Sequence, residues 1–346
     1  MNRIRLLTIL SIVLLSYGFM ITSADTGGVI SSMQQLEKFA VMEVEKKLGK
    51  VVPPHYMDAY DQELANIGEE LIKKGKSSYN GKSGKLISAY FNCTDCHNLV
   101  RESEDLTNLD PQDRLDYLTN RNLPFTAGST FFGIYNRTSF YNDDYYKKYG
   151  DLVNDAKDSL ANSIQLCAEY CASGRPLEQW ELDAILHYYK REELKIAELG
   201  LSSKELRIVS DALDKNGDQQ KALEILNSHY VKKYGATFTG AMPEHKRKYG
   251  EGGDVINGEK LYKSACMYCH ENARVTYLDL DDDVLSGKYL WNHKEGYDDL
   301  SVYQVIRWGT YPIAGRQQYM PLYPKEKMSD KQLEDLMAYI KKLANK

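Results

Sequence analysis

The 346-residue chain lacks an excess of charge of either sign, with 44 Lys and Arg against 49 Asp and Glu for a net of −5. Nucleic-acid binding, which relies on basic side chains neutralising phosphates, is not expected. Proline is scarce at 9 residues and glycine ordinary at 24, which excludes collagen-like and low-complexity chains. Beyond the first two dozen residues no apolar run approaches the ~20 residues that cross a bilayer, so a polytopic membrane protein is excluded. No cysteine precedes Cys93, so a lipid anchor near the N-terminus has no acceptor thiol. No methionine lies between His97 and Met242, an absence that limits which residues can act as soft metal ligands over that span.

What is present starts with an export signal. Arg3 and Arg5 precede a nearly continuous apolar stretch from Leu6 to Ile21, and Thr22, Ser23 and Ala24 form a small-residue cleavage site. Cleavage after Ala24 and a periplasmic destination are expected, with contact to a membrane only if the signal stays uncleaved.

An exported protein with six cysteines ordinarily suggests disulfides, but here four of the six fall in a repeated pattern. Cys93-Thr94-Asp95-Cys96-His97 and Cys266-Met267-Tyr268-Cys269-His270 are two copies of CxxCH. Two thiols at this spacing add to the two vinyl groups of haem, and the adjacent imidazole meets the iron. A zinc ribbon or a thioredoxin-like pair would not need a histidine directly after each second cysteine. The cofactors expected are two covalent haem c groups, attached at Cys93, Cys96, Cys266 and Cys269, with His97 and His270 as axial iron ligands.

The flanking sequence repeats as well. Gly258 to Tyr262 precedes Cys266 in helical register, and Ser329 to Ile340 carries apolar residues at helical spacing behind a Ser/Asp cap. This pair resembles the first and last helices of class I cytochromes c, which cross at a glycine and an aromatic residue. Asn66 to Ile72 and Leu177 to Tyr188 repeat the arrangement around Cys93. The fold class expected is all-α, with two class I cytochrome c-like haem domains joined by a helical and Gly-rich linker. The boundaries read as signal peptide 1–24, N-terminal helical extension 25–54, first domain 55–197, linker 198–257 and second domain 258–346. The amphipathic stretch 31–50 is expected to pack on the first domain, and 235–258, rich in glycine, to be flexible.

Each iron needs a distal ligand. In the second domain Met320, followed by Pro321 and upstream of the last helix, takes the place of the Met-Pro loop of class I cytochromes. The first domain has no methionine for this. Its strong donors after His97 are Cys167, Cys171 and His187. His187 reads as an ordinary packed histidine, and Cys167 and Cys171 share a face if the segment is helical. A mutual disulfide between them would be poorly oriented.

Cys167 followed by Gly174-Arg175-Pro176-Leu177, together with Phe91-Asn92-Cys93 and Phe132-Gly133-Ile134-Tyr135-Asn136-Arg137, resembles the thiosulfate dehydrogenases and, more distantly, the SoxAX cytochromes. The likeness covers roughly residues 60 to 190. It implies that Cys167 is the axial ligand of the first iron and the catalytic sulfur, and that thiosulfate is oxidatively coupled to tetrathionate there. An arginine that the family carries one turn before this cysteine is replaced by Ser163, which leaves Arg137 as the cation available to a dianion. Two readings follow. The chain is an exported electron carrier of sulfur-compound oxidation, served by a redox partner protein such as a small cytochrome or a terminal oxidase, or it is itself a thiosulfate dehydrogenase-like enzyme. A dihaem peroxidase, which needs an open or His-ligated iron, is disfavoured by a cysteine in the first pocket.

Overall fold

The computed structural model describes residues 33–276, 280, 284–296, 301–310 and 320–345. The expected signal, 1–24, lies outside them. Among the described residues no helix is long and apolar enough to cross a membrane. The chain is mostly helical and falls into two compact units, one formed by residues up to Val52 with Leu194–His229, the other by Pro53–Glu193 with Tyr230–Lys346.

The first unit draws on both the expected N-terminal extension and the expected linker. Val41–Lys47 is a helix whose inner face buries Val41, Met42 and Val44. It packs on the helix Gln219–Ser228, which packs in turn on Ser203–Leu213. Backbone bonds from Val41 to Leu194, Ile196 to Phe39 and Ala197 to Glu37 stitch the two segments together. The N-terminal extension and the helical part of the proposed linker thus pair with one another, since each alone leaves an apolar face uncovered.

The second unit holds both haem-motif regions. Gln62–Lys74 opens the first: Asp61 caps it by accepting the Leu64 N–H at 2.9 Å, and Gly75, at φ +70°, ends it in the left-handed region. Gln179–Arg191 closes it. The two cross where Gly68 meets the Ala184 carbonyl and stands so close that an added Cβ would lie 2.9 Å from Tyr188 Cβ. The second region repeats this contact. Val255–Leu261, capped by Asp254, crosses Asp330–Ala344, capped by Ser329 and Gln332, and Gly258 meets the Asp335 carbonyl with Tyr339 Cβ 2.9 Å from the space a Cβ would fill. In both regions the aromatic residue lies four positions after the contacted carbonyl, so one turn of helix separates the two parts of the crossing.

These regions are not beads on a flexible string. Leu115, Leu118 and Phe125 of the first pack into one apolar core with Leu261, Tyr303, Leu336, Ile340 and Leu343 of the second. Full burial of each such side chain contributes about 1.5–3 kcal/mol. The Gly-rich stretch is also held. Asn142 Nδ2 donates to the Ala236 carbonyl at 2.9 Å, and Phe238 is buried between the rings of Tyr145 and Trp308 at 5.0 and 5.1 Å.

Candidate functional site

The first motif forms a tight turn over Cys93–Asp95, closed by the Asn92 N–H donating to Asp95 Oδ2 at 2.8 Å. The His97 N–H reaches back to the Cys93 carbonyl at 3.0 Å. His97 Nδ1 donates to the Ser129 carbonyl at 2.6 Å, which fixes the tautomer and leaves Nε2 as the ligand atom. Burial holds this imidazole down at about 4, so it is neutral and ready to bind a metal. Gly128 lies flat against the ring, where a Cβ would collide with His97 and the Cys96 carbonyl.

Cys93, Cys96 and His97 line one side of a large cavity, and Cys167 and Cys171 line it too. Its non-atom space, open mouth included, is about 1530 Å³. Phe91, Phe131, Ile134, Leu177 and Tyr189 give it apolar walls. The helix Leu160–Leu166 runs into a wider, π-helical turn over Cys167–Cys171, a local distortion common at functional sites. The two thiols are free and hydrogen-bonded to each other, so the disulfide alternative is not formed. The Cys167 bond to Cys171 and burial push the Cys167 thiol up. The same bond, helped by Tyr149 and Tyr141, pulls Cys171 down to about 7 against burial. Cys171 Sγ lies 3.2 Å from Tyr149 Oη and 3.7 Å from Tyr141 Oη. Ser163, one turn before Cys167, also lines the cavity, its hydroxyl donating to the Leu160 carbonyl at 2.7 Å. His187 does not line it; its Nδ1 accepts the Asp61 N–H at 2.9 Å.

Arg137 is 3% exposed and sits on the His97 side. Its guanidinium donates to Ser129 Oγ at 3.0 Å and to the Thr130 carbonyl, so it is tied to the loop that orients the imidazole. It also lines the cavity that Cys167 lines.

In the second region Cys266, Met267 and Met320 pack against the same apolar core. Cys269 and His270 lie in the short helix Met267–His270 and are half-buried. Met320 is fixed by its backbone: its N–H donates to Thr310 Oγ1 at 2.6 Å and its carbonyl accepts the Thr310 N–H at 3.2 Å. The residues that lead into it, 311–319, lie outside the described ones.

These residues fit covalently held haem: paired free thiols, a neutral oriented imidazole, and a cavity with a sulfur donor in its wall. Sequence reasoning missed three features. Tyr141, Tyr145 and Tyr149 ring the cavity near Cys171, and their spacing of four was a readable signal. Pro321, Leu322 and Lys327, from the second region, complete the first region's cavity. Finally, the two motifs touch. Tyr268 Oη donates to the Thr94 carbonyl at 3.1 Å, Arg274 pairs with the buried Asp95 carboxylate, and Cys269 Sγ lies 3.9 Å from the Asp95 carbonyl. Nothing local to either motif encodes this contact.

Residues 253–340 match the family described as cytochrome c oxidase, cbb3-type, subunit III. No curated protein and no solved structure matches the chain. The chain therefore carries a c-type cytochrome domain in an all-α fold, and that domain implies covalent haem, electron transfer and a redox protein partner.

Proposed function

From the cytochrome c domain at 253–340, we propose that the whole chain is an exported dihaem c-type cytochrome that passes single electrons between two covalently bound haems. The observation that carries this is the contact between the two CxxCH turns, through Tyr268 with Thr94 and Arg274 with Asp95. Two attachment turns in contact would hold their two cofactors close to one another. Bound haem supplies one-electron chemistry at its iron. The chain would supply the rest: His97 and Cys167 would hold the first iron and His270 and Met320 the second, with the apolar walls of the first cavity keeping water from its haem. A thiolate ligand favours the oxidised state, whereas a thioether favours the reduced one, so the second site is the higher in potential. Export is supported by the segment from Arg3 to Ala24.

The experiment is mass measurement and haem staining of the exported protein under denaturing conditions. The processed chain plus two haems is expected, and one haem in the Cys93→Ala/Cys96→Ala variant. Two covalent haems in that variant would overturn the reading.

The sulfur chemistry rests on Cys167, whose thiol lines the cavity. Two thiosulfates joining through a new S–S bond give tetrathionate and two electrons, one for each haem. Ferricyanide reduction by thiosulfate, measured on the holoprotein and on Cys167→Ala, separates an enzyme from a carrier.

A further inference from the structure

Lys327 belongs to the second region of the chain, yet it lines the cavity of the first and is 8% exposed. Arg137 lines the same cavity, and the two cations flank one ring: Tyr234 lies 4.2 Å from the Arg137 guanidinium and 5.5 Å from Lys327 Nζ. Among the described residues Arg137 has no carboxylate at ion-pair distance, and the one that Lys327 has is shared. Arg137 donates to a hydroxyl and to carbonyls. Lys327 Nζ stands 4.0 Å from Glu102 Oε2, but Glu102 is already clasped by Arg114, with both bonds at 2.9 Å, and by Asn98 at 2.7 Å. Glu326 is committed to the Thr237 N–H and hydroxyl at 2.9 and 2.5 Å. One interior carboxylate thus faces three cations. Buried charge persists only when it is matched, and an unmatched lysine responds by losing its proton. Burial, then Arg114, already pull the Lys327 ammonium down to about 7.

We infer that Arg137 and Lys327 together receive an oxyanion buried in the first cavity, so that the second region completes the first cofactor's site. The inference rests on a haem occupying that cavity. Two sources share the chemistry: the propionate carboxylates of that haem, and a sulfur oxyanion from solution. Position favours the propionates, because Arg137 is anchored on Ser129, the residue that also holds His97.

The test uses the full-length holoprotein and the variants Lys327→Gln, Lys327→Met, Lys327→Arg and Arg137→Gln. Mass measurement comes first: absence of haem from the first site of the wild type overturns the proposed function and this assignment with it, whereas the spectra that follow can fail for the assignment alone. Redox-difference infrared spectra are then expected to show a propionate carboxylate band that moves in Lys327→Gln and Arg137→Gln and returns to its place in Lys327→Arg. The length-matched Lys327→Met gives the same readout if the glutamine variant is poorly retained. If the oxyanion comes from solution, thiosulfate added as a probe shifts the wild-type visible spectrum with saturation, and Lys327→Gln weakens that response at least tenfold while the carboxylate band stays put. A carboxylate band and a thiosulfate response both indifferent to the variants would overturn the assignment, even if the first haem's potential moved.

Discussion

Cys167 and Cys171 lie within one turn of each other, yet their surroundings differ. Cys171 already has Tyr149 and Tyr141 as partners for its sulfur, whereas Cys167 has only Cys171 and the cavity. Cys167→Ala is therefore expected to abolish the low-spin ferric signal of the thiolate-ligated haem and to raise that haem's potential, while Cys171→Ala leaves the signal in place. Electron paramagnetic resonance with redox titration checks both. In the second domain Met320→Ala should lower one potential only and open that iron to small ligands, read as a carbon monoxide difference spectrum. Spectra unchanged by that substitution would assign the ligand elsewhere. At this scale the sequence was most legible where chemistry is local: CxxCH needs five adjacent residues and can be read without a fold. Lys327 was illegible for the opposite reason. A lysine's role depends on what surrounds it, and its surroundings come from residues two hundred positions away.

Helices were legible through their apolar spacing and caps, and the ends found at Gln179–Arg191 and Asp330–Ala344 lie within a few residues of the stretches read from sequence. What covers an apolar face was not legible. The periodicity of 31–50 announced a buried side and suggested the first domain as its cover, whereas the unit it joins is completed by Leu194–His229. Glycines between 235 and 258 suggested looseness, yet Phe238 and Tyr249 in the same stretch are pinned by neighbouring rings. The two helix crossings give a prediction at this scale. An added methyl group has no room at Gly68 or Gly258, so Gly68→Ala and Gly258→Ala should each cost ~1–3 kcal/mol or more, against a small gain in helix propensity. Chemical denaturation followed separately at each haem's absorbance should show the loss first at the haem whose crossing was changed.

For the molecule as a whole, the shared core and the Arg274 to Asp95 pair join the two CxxCH regions. Arg274→Ala leaves the Asp95 carboxylate with the Asn92 N–H but without its cation, a loss of about 1 kcal/mol or less for a pair whose arginine is partly in water, and should slow electron equilibration between the haems in flash photolysis while leaving both covalent attachments intact. Equilibration at the wild-type rate would show that this pair does not set the distance between them. The same contact bears on how the protein is made. Each attachment turn covers part of the other, with Tyr268 lying across Thr94 and Arg274 across Asp95, so an enzyme that ligates haem to thiols meets both motifs fully open only before the halves have closed on each other. If both motifs carry haem, as proposed, maturation has an order built into it: both thioether pairs first, closure afterwards. In pulse-labelled cells haem-stained chains should appear before protease-resistant ones, and a chain arrested after one attachment should stay sensitive to protease along its whole length.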